Sequence, residues 1–341
     1  MNDAERNAGI TPAVQHNRQR LKTIVPSMRW NGEDLPQWQR RARAQLRDLL
    51  GMDRFQTVEP DLHIEYEREL DNAVELRFTF QSEAGYRVPC HLLLPCGAEK
   101  PPVMICLQGH STGMHISLGR PKFEGDEKAI AGGDRDFCIR AVKEGFAAIA
   151  MEQRGMGECG GDETGPKCQE TSMTALLMGR TTIGERVWDV CRLIDVLEQH
   201  FAHRVDLERL CCMGNSGGGT VTAHVAALDD RIRLAMPSSA VCAYTGSIGA
   251  YRHCVCNFVP RIAEYFDMGD LIAMAWPKHY IHVHGLTDWS FNIDGARQVH
   301  QAGKQAYAGM GDADRIAFVE GSEGHRFYAD DAWPIVHRFM D

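Results

Sequence analysis

The sequence predicts an α/β fold: a mostly parallel central sheet with helices on both faces and a helical extension at the N-terminus. Three observations predict it. From residue 102 onward, short apolar runs alternate with amphipathic stretches at helical spacing, as successive βα units require. The run VMICLQG is continuously apolar, which suits a strand buried on both faces. Ahead of it, LHIEYEREL and VELRFTFQSEAGYRVPCHLLLP alternate apolar and polar residues around a turn at Glu83–Gly85, as antiparallel strands do. At 341 residues the length prior is about two domains. The expected division is an arm and packed helix over 1–58 and one α/β domain over 59–341.

The elements follow in order. Residues 1–27 show no clear periodicity and read as an arm. LPQWQRRARAQLRDLLGM spaces Trp38, Ala42, Leu46 and Leu49 or Leu50 as one helical face, and Gly51 stops it. After VMICLQG come a helix (DFCIRAVKEG), a strand (FAAIAM) and a long amphipathic helix (IGERVWDVCRLIDVLEQH). RLCCMG is a strand and TVTAHVAAL a helix, followed by strands IRLAMPSS and YIHVHG. DGARQVHQAGKQAYAG is a helix, RIAFVEG the last strand and DDAWPIVHRFM the closing helix. Three connections, 111–134, 154–183 and 239–277, are longer than turns and leave C-terminal strand ends. Open α/β sheets bind ligands there, so these loops are expected to wall a pocket.

Composition removes several classes of function. A net charge of −9 opposes binding to phosphate backbones and to anionic membrane surfaces. No stretch approaches the roughly 18 consecutive apolar residues of a membrane span, and the N-terminus has no apolar signal core. No nucleic-acid or membrane partner is expected, and the location is expected to be cytoplasmic. The 12 cysteines lie scattered, many inside apolar runs, and read as small buried hydrophobes rather than a disulfide scaffold.

LCCMGNSGGGTV, residues 210–221, is the stretch that carries chemistry. As a phosphate loop it lacks the lysine of G-x-x-x-x-G-K-[ST]. As a thiol site it offers Cys211 and Cys212 in mid-strand, without the cation or helix N-terminus that stabilises a thiolate. As G-x-S-x-G between a strand and a helix it fits. Gly214, Asn215, Ser216, Gly217 and Gly218 then form a sharp elbow that frees the Ser216 oxygen, with the helix N-terminus favouring developing negative charge.

A serine needs a base and a group that orients the base. His325 in GSEGHRF follows the last strand, and Asp288 in HGLTDWS follows an earlier one, in the order such an elbow demands. Asp294 reads as the N-cap of its helix, and Glu323 as pointing away from its neighbour His325. Gly217 N–H and the N–H of His110, in QGHSTG, are the candidate oxyanion donors, with Gly109 allowing close approach. Metal is set aside: IHVH (His282, His284) lacks a third ligand and HCVC (His253, Cys254, Cys256) lacks a second pair. Cys211–Cys212 and the pair His110 and His115 read as packing or pocket wall. No metal and no cofactor are expected.

In these residues the chain resembles the α/β-hydrolase superfamily, and within it the dienelactone-hydrolase and acetyl-xylan-esterase-like branch. The resemblance runs from about Trp30 to the C-terminus and rests on WQRRARAQLRDLLG, QGH, EQRGMGE, MGRTTIGERVWDVCRLIDVL, GNSGG, HCVCNFVP, GLTDWSFNI and GSEGHRF. It implies a Ser216–Asp288–His325 triad with His110 and Gly217 as oxyanion donors. Gln108 stands where relatives often carry histidine, and Glu152 where they often carry aspartate before RG. Dienelactone hydrolases proper use cysteine as nucleophile; Ser216 at that position implies cleavage of a carboxylic ester, of short acyl or acetyl type, on a small molecule. Amide or peptide cleavage by the same triad, and non-catalytic binding on the same scaffold, are the competing readings. A homo-oligomer is left open, with the arm as a candidate subunit contact.

Overall fold

The computed structural model describes residues 11–160 and 165–340. The first ten residues of the expected arm and four residues of the second long connection lie outside this range. Helix α1, Ala13–Thr23, comes first. Sequence reading expects no periodic element there, and the reason is plain: none of its residues is buried within a core. Its anchor is tertiary, because Leu21 lies against Gly249 so closely that a Cβ there would stand 2.1 Å from Leu21 Cδ2.

Helix α2, Leu35–Leu50, begins at Asp34, whose carboxylate accepts the Gln37 N–H at 2.7 Å, and ends at Gly51 with φ +74°. That left-handed cap suits glycine. Close approach requires it too, since a Cβ would meet the Gly179 carbonyl oxygen at 2.4 Å. The stripe expected from spacing (Trp38, Ala42, Leu46) is buried, and of the two candidates that continue it Leu50 is the buried one. Burying each large side chain of that stripe contributes about 1.5–3 kcal/mol.

Strands β1 (His63–Glu69), β2 (Ala73–Glu83) and β3 (Tyr86–Pro95) form the antiparallel edge. Then follow β4 (Pro102–Leu107), α3 (Asp126–Gly133), α4 (Phe137–Lys143), β5 (Ala147–Met151), α5 (Cys168–Leu177) and α6 (Thr182–Val196). The remaining strands and longer helices are β6 (Asp206–Asn215), α7 (Gly217–Leu228), β7 (Leu234–Ser238), α8 (Met268–Ala275), β8 (His279–Gly285), α9 (Ile293–Gly309), β9 (Ile316–Gly321) and α10 (Ala329–Met340). Helix α9 is capped by Asn292, which accepts the N–H groups of Asp294 and Gly295. The helix therefore starts two residues earlier than an Asp294 cap implies, and Asp294 sits in its first turn.

The strands make one sheet in the order β1-β2-β3-β5-β4-β6-β7-β8-β9, parallel from β5 to β9. Its two faces bury different cores. Val103, Ile105, Leu107 and Cys212 point to the face covered by α2, α6, α7, α8 and α9. Met104, Cys106, Cys211 and Met213 point to the face covered by α4 and α10. The continuous apolar run of β4 is thus a period-two pattern with both faces buried. Cys211 and Cys212 are strand packing on opposite faces, and all 12 cysteines are free thiols. Helices on both faces of this sheet give the α/β-hydrolase fold. Among the described residues no helix is long and apolar enough to cross a membrane.

Candidate active site

Strand β6 runs into the elbow and α7 runs out of it. Ser216 between them has φ +55° and ψ −122°, a backbone state L-residues rarely hold without support. The support is visible on every side. Ser216 N–H donates to the Ser238 carbonyl at 2.8 Å, and its own carbonyl accepts the Thr220 N–H at 2.9 Å. Asn215, buried, closes the β6–β7 ladder opposite Ser238. A Cβ on Gly218 would stand 2.1 Å from the Leu107 oxygen, and one on Gly214 would stand 2.5 Å from the Gly218 carbonyl carbon. The elbow glycines therefore let α7, β6 and the end of β4 pack backbone on backbone.

Asp288 lies in the turn after β8 and His325 in the loop after β9. The two loops are sewn together by Leu286 N–H to Gly321 O (2.8 Å) and Thr287 N–H to Glu323 O (3.0 Å). His325 Nδ1 is 2.8 Å from Asp288 Oδ2. Asp288 Oδ1 accepts from Ser290 N–H (2.9 Å), Ser290 Oγ–H (2.9 Å) and Phe291 N–H (3.2 Å). Burial works to raise the Asp288 pKa; the hydrogen bond and charge of His325, with the Ser290 N–H, carry it below the ordinary carboxylate value. Phe291 stacks on the His325 ring (centroids 5.9 Å, 13° between planes). The Ser238 and Ser239 hydroxyls hold the carbonyl of the next residue, Arg326. Glu323 turns outward to Arg326 at 2.9 Å, as sequence reading expects.

Ser290 is a residue that sequence reading missed. Its hydroxyl also lies 3.2 Å from His325 Nδ1, so the ring nitrogen has two oxygens within reach. The pattern Asp-x-Ser, in which an aspartate bonds the backbone two residues on, is the signal that could have found it.

The loop leaving β4 closes the other side. At Gly109 a Cβ would be 2.8 Å from the Asn215 oxygen and 2.9 Å from Ser216 Cβ, so the chain passes directly against the serine. His110 follows, its ring beside Gly217. Gln108 holds the loop by donating to Ser117 Oγ (2.6 Å) and the Arg135 carbonyl (2.7 Å), while its own carbonyl accepts from Gln153. Glu152 Oε2 accepts the N–H groups of Met114 (3.1 Å) and Glu158 (3.3 Å), and burial pushes its pKa up to about 7. Arg154 of the same EQRG stretch turns away from the serine. It pairs with Asp189 through two bonds of 2.8 Å, reaches Glu83 at 2.7 Å and lies over the Tyr86 ring at 4.2 Å.

The histidine and cysteine motifs separate cleanly. His284 Nε2 meets the Phe291 carbonyl at 2.9 Å, and His282 packs against Phe318 and His300. His115 Nε2 meets Asp126 Oδ2 at 2.9 Å and steadies the first long loop. HCVC requires a correction. Its missing second pair exists in space: His110 and Cys168 join Cys254 and Cys256, with all four ligand atoms within 4.8 Å of one another. His253 instead turns to the Ser290 carbonyl, to which its Nε2–H donates at 2.9 Å. The His110 side chain, expected to serve only as wall, belongs to this cluster.

Comparison with known proteins agrees with the fold. Residues 103–256 match the family model described as glucuronyl esterase, fungi. YtaP of Bacillus subtilis (strain 168), which carries only the general designation of hydrolase, is 26% identical over 292 residues, or 83% of this chain and 92% of that protein. A Bacteroides fragilis structure designated an acetyl xylan esterase superposes with a TM-score of 0.77 at 15% identity, over 91% of this chain and 82% of that one. The glucuronoyl esterase of Solibacter usitatus superposes with a TM-score of 0.70 at 13% identity, over 93% and 98% of the two chains.

Proposed function

We propose that the protein is a serine hydrolase that cleaves a short carboxylic ester on a carbohydrate-type small molecule through an acyl-enzyme. The observation that carries this reading is the 2.8 Å contact between His325 Nδ1 and Asp288 Oδ2, on two loops sewn at the same sheet end as the strained Ser216. Each role follows from chemistry. Asp288 holds the Nδ1–H tautomer of His325, which leaves Nε2 as the base. Ser216 Oγ gives its proton to Nε2 as it attacks the acyl carbon, and the carbonyl π electrons move onto oxygen. Gly217 N–H, at the α7 N-terminus and without an intrahelical partner, meets that oxyanion together with the His110 N–H. The tetrahedral intermediate collapses, His325 protonates the departing alcohol, and water then repeats the cycle on the acyl-serine.

The ester class is supported by the names of the matched family and structures, which are those of acetyl xylan and glucuronoyl esterases. Ser216→Ala is expected to lower turnover of p-nitrophenyl acetate by roughly four to six orders of magnitude. Near-normal turnover by that variant overturns the assignment. A parallel panel of sugar acetates, uronic-acid esters and aminoacyl amides tests the substrate class, with amide preference the result that rejects it.

A further inference from the structure

We propose that His110, Cys168, Cys254 and Cys256 form a closed, structural zinc site that ties together the three loops around Ser216. The inference stands on geometry independent of the hydrolase reading. His110 Nε2 lies 3.0 Å from Cys256 Sγ, and Cys256 Sγ lies 3.4 Å from Cys254 Sγ. All four ligand atoms fall within 4.8 Å of one another. Four ligands around zinc at Zn–S distances of about 2.3 Å stand about 3.8 Å apart along each tetrahedral edge. The cluster therefore surrounds the space of a single ion.

Charge balance is the second observation. Arg186, in α6, is fully buried, and its guanidinium donates to the Arg154 carbonyl (2.6 and 3.0 Å) and to the sulfurs of Cys256 (3.5 Å) and Cys168 (3.4 Å). No carboxylate among the described residues pairs with it. A buried cation needs a buried anion. Neutral thiols do not supply one; a single thiolate would, and so would three thiolates held on a metal, whereas three bare thiolates would leave an excess of negative charge. Three thiolates and a neutral imidazole on a divalent cation carry one net negative charge, which Arg186 balances. Binding releases the three thiol protons to solvent. Thiolate-rich tetrahedral sites select zinc among the common divalent ions.

The four ligands come from distant parts of the chain. His110 sits at the head of the first long loop, Cys168 opens α5 in the second, and in the third Cys254 precedes the turn Val255–Asn257 and Cys256 lies within it. With four protein ligands and no open position, the ion is structural rather than a Lewis acid. Its work is to fix the three loops to one another, including the backbone of His110 beside the serine.

The test is metal analysis of the untagged full chain, purified under reducing conditions without chelator. About one zinc per chain is expected, retained in Ser216→Ala and lost in Cys168→Ser and Cys254→Ala. Removing zinc should lower the melting temperature and raise amide hydrogen exchange in residues 109–113, 165–177 and 253–258. Because a cysteine variant could fail to fold, the wild-type chain is also exchanged with cobalt, where visible bands of a tetrahedral thiolate site are expected. Three results overturn the proposal. They are a reduced chain that takes up neither zinc nor cobalt, metal content unchanged in folded cysteine variants, and a disulfide between Cys254 and Cys256 or Cys168 in the native protein.

Discussion

Replacing Asp288 by asparagine and by alanine gives opposite rankings under different accounts of this site. In Asp288→Asn the side chain keeps its shape, and its orientation is dictated by the three donors converging on Oδ1: Ser290 N–H, Ser290 Oγ–H and Phe291 N–H. The amide oxygen must stay there, so the NH2 group faces His325 Nδ1, 2.8 Å away. Two N–H groups cannot face each other. His325 is forced to the Nε2–H tautomer, which cannot accept the Ser216 proton. The expected loss in kcat/KM is about ten-thousand-fold, or ~5 kcal/mol of transition-state stabilisation. Asp288→Ala frees the Ser290 hydroxyl, already 3.2 Å from Nδ1, to accept from Nδ1–H and keep the productive tautomer. Its loss should be smaller, about a hundred- to a thousand-fold. Steady-state hydrolysis of p-nitrophenyl acetate by both variants, with folding checked by circular dichroism, reads the ranking. An asparagine variant as active as the alanine variant, or within about tenfold of wild type, refutes the tautomer argument.

Three other perturbations have definite expected outcomes. Gly218→Ala forces a Cβ to 2.1 Å from the Leu107 carbonyl, between backbones that cannot yield, and should cost about 3 kcal/mol or more in urea unfolding. Arg154→Met leaves Asp189, fully buried, with the Ser82 hydroxyl but without its two bonds from the guanidinium, and should destabilise by about 3–5 kcal/mol even though Arg154 lies outside the reacting groups. Glu152 has a folded-state pKa of about 7 against an ordinary 4.5, so the folded state holds a proton the unfolded chain has lost. Its contribution is present below pH 4.5 and lost as pH rises to about 7; Glu152→Gln should flatten that decline in a series of melting curves. An unchanged slope refutes it.

Much of the fold is legible because its signals are local. The helical stripe of α2, the alternation of β2 and β3 and the doubly buried β4 each report the period of one element. Helix α1 shows the limit: its anchor, Leu21, has meaning only where Gly249 leaves room for it. The α9 cap shows another, since Asn292 and Asp294 are both good caps and the structure makes Asn292 the one that bonds the first turn.

The site divides in the same way. An elbow of glycines around Ser216, an aspartate after β8 and a histidine after β9 could be found from the sequence by itself, because strand–turn–helix order fixes where such groups must stand. Ser290, the outward turn of Arg154 to Asp189, and the cluster of His110 with Cys168, Cys254 and Cys256 were decided only by tertiary structure. His110 and Cys256 lie 146 residues apart. Spacing along a chain speaks for side chains that share one helix or strand. Groups carried on separate loops meet according to strand order and loop path, which no local period records.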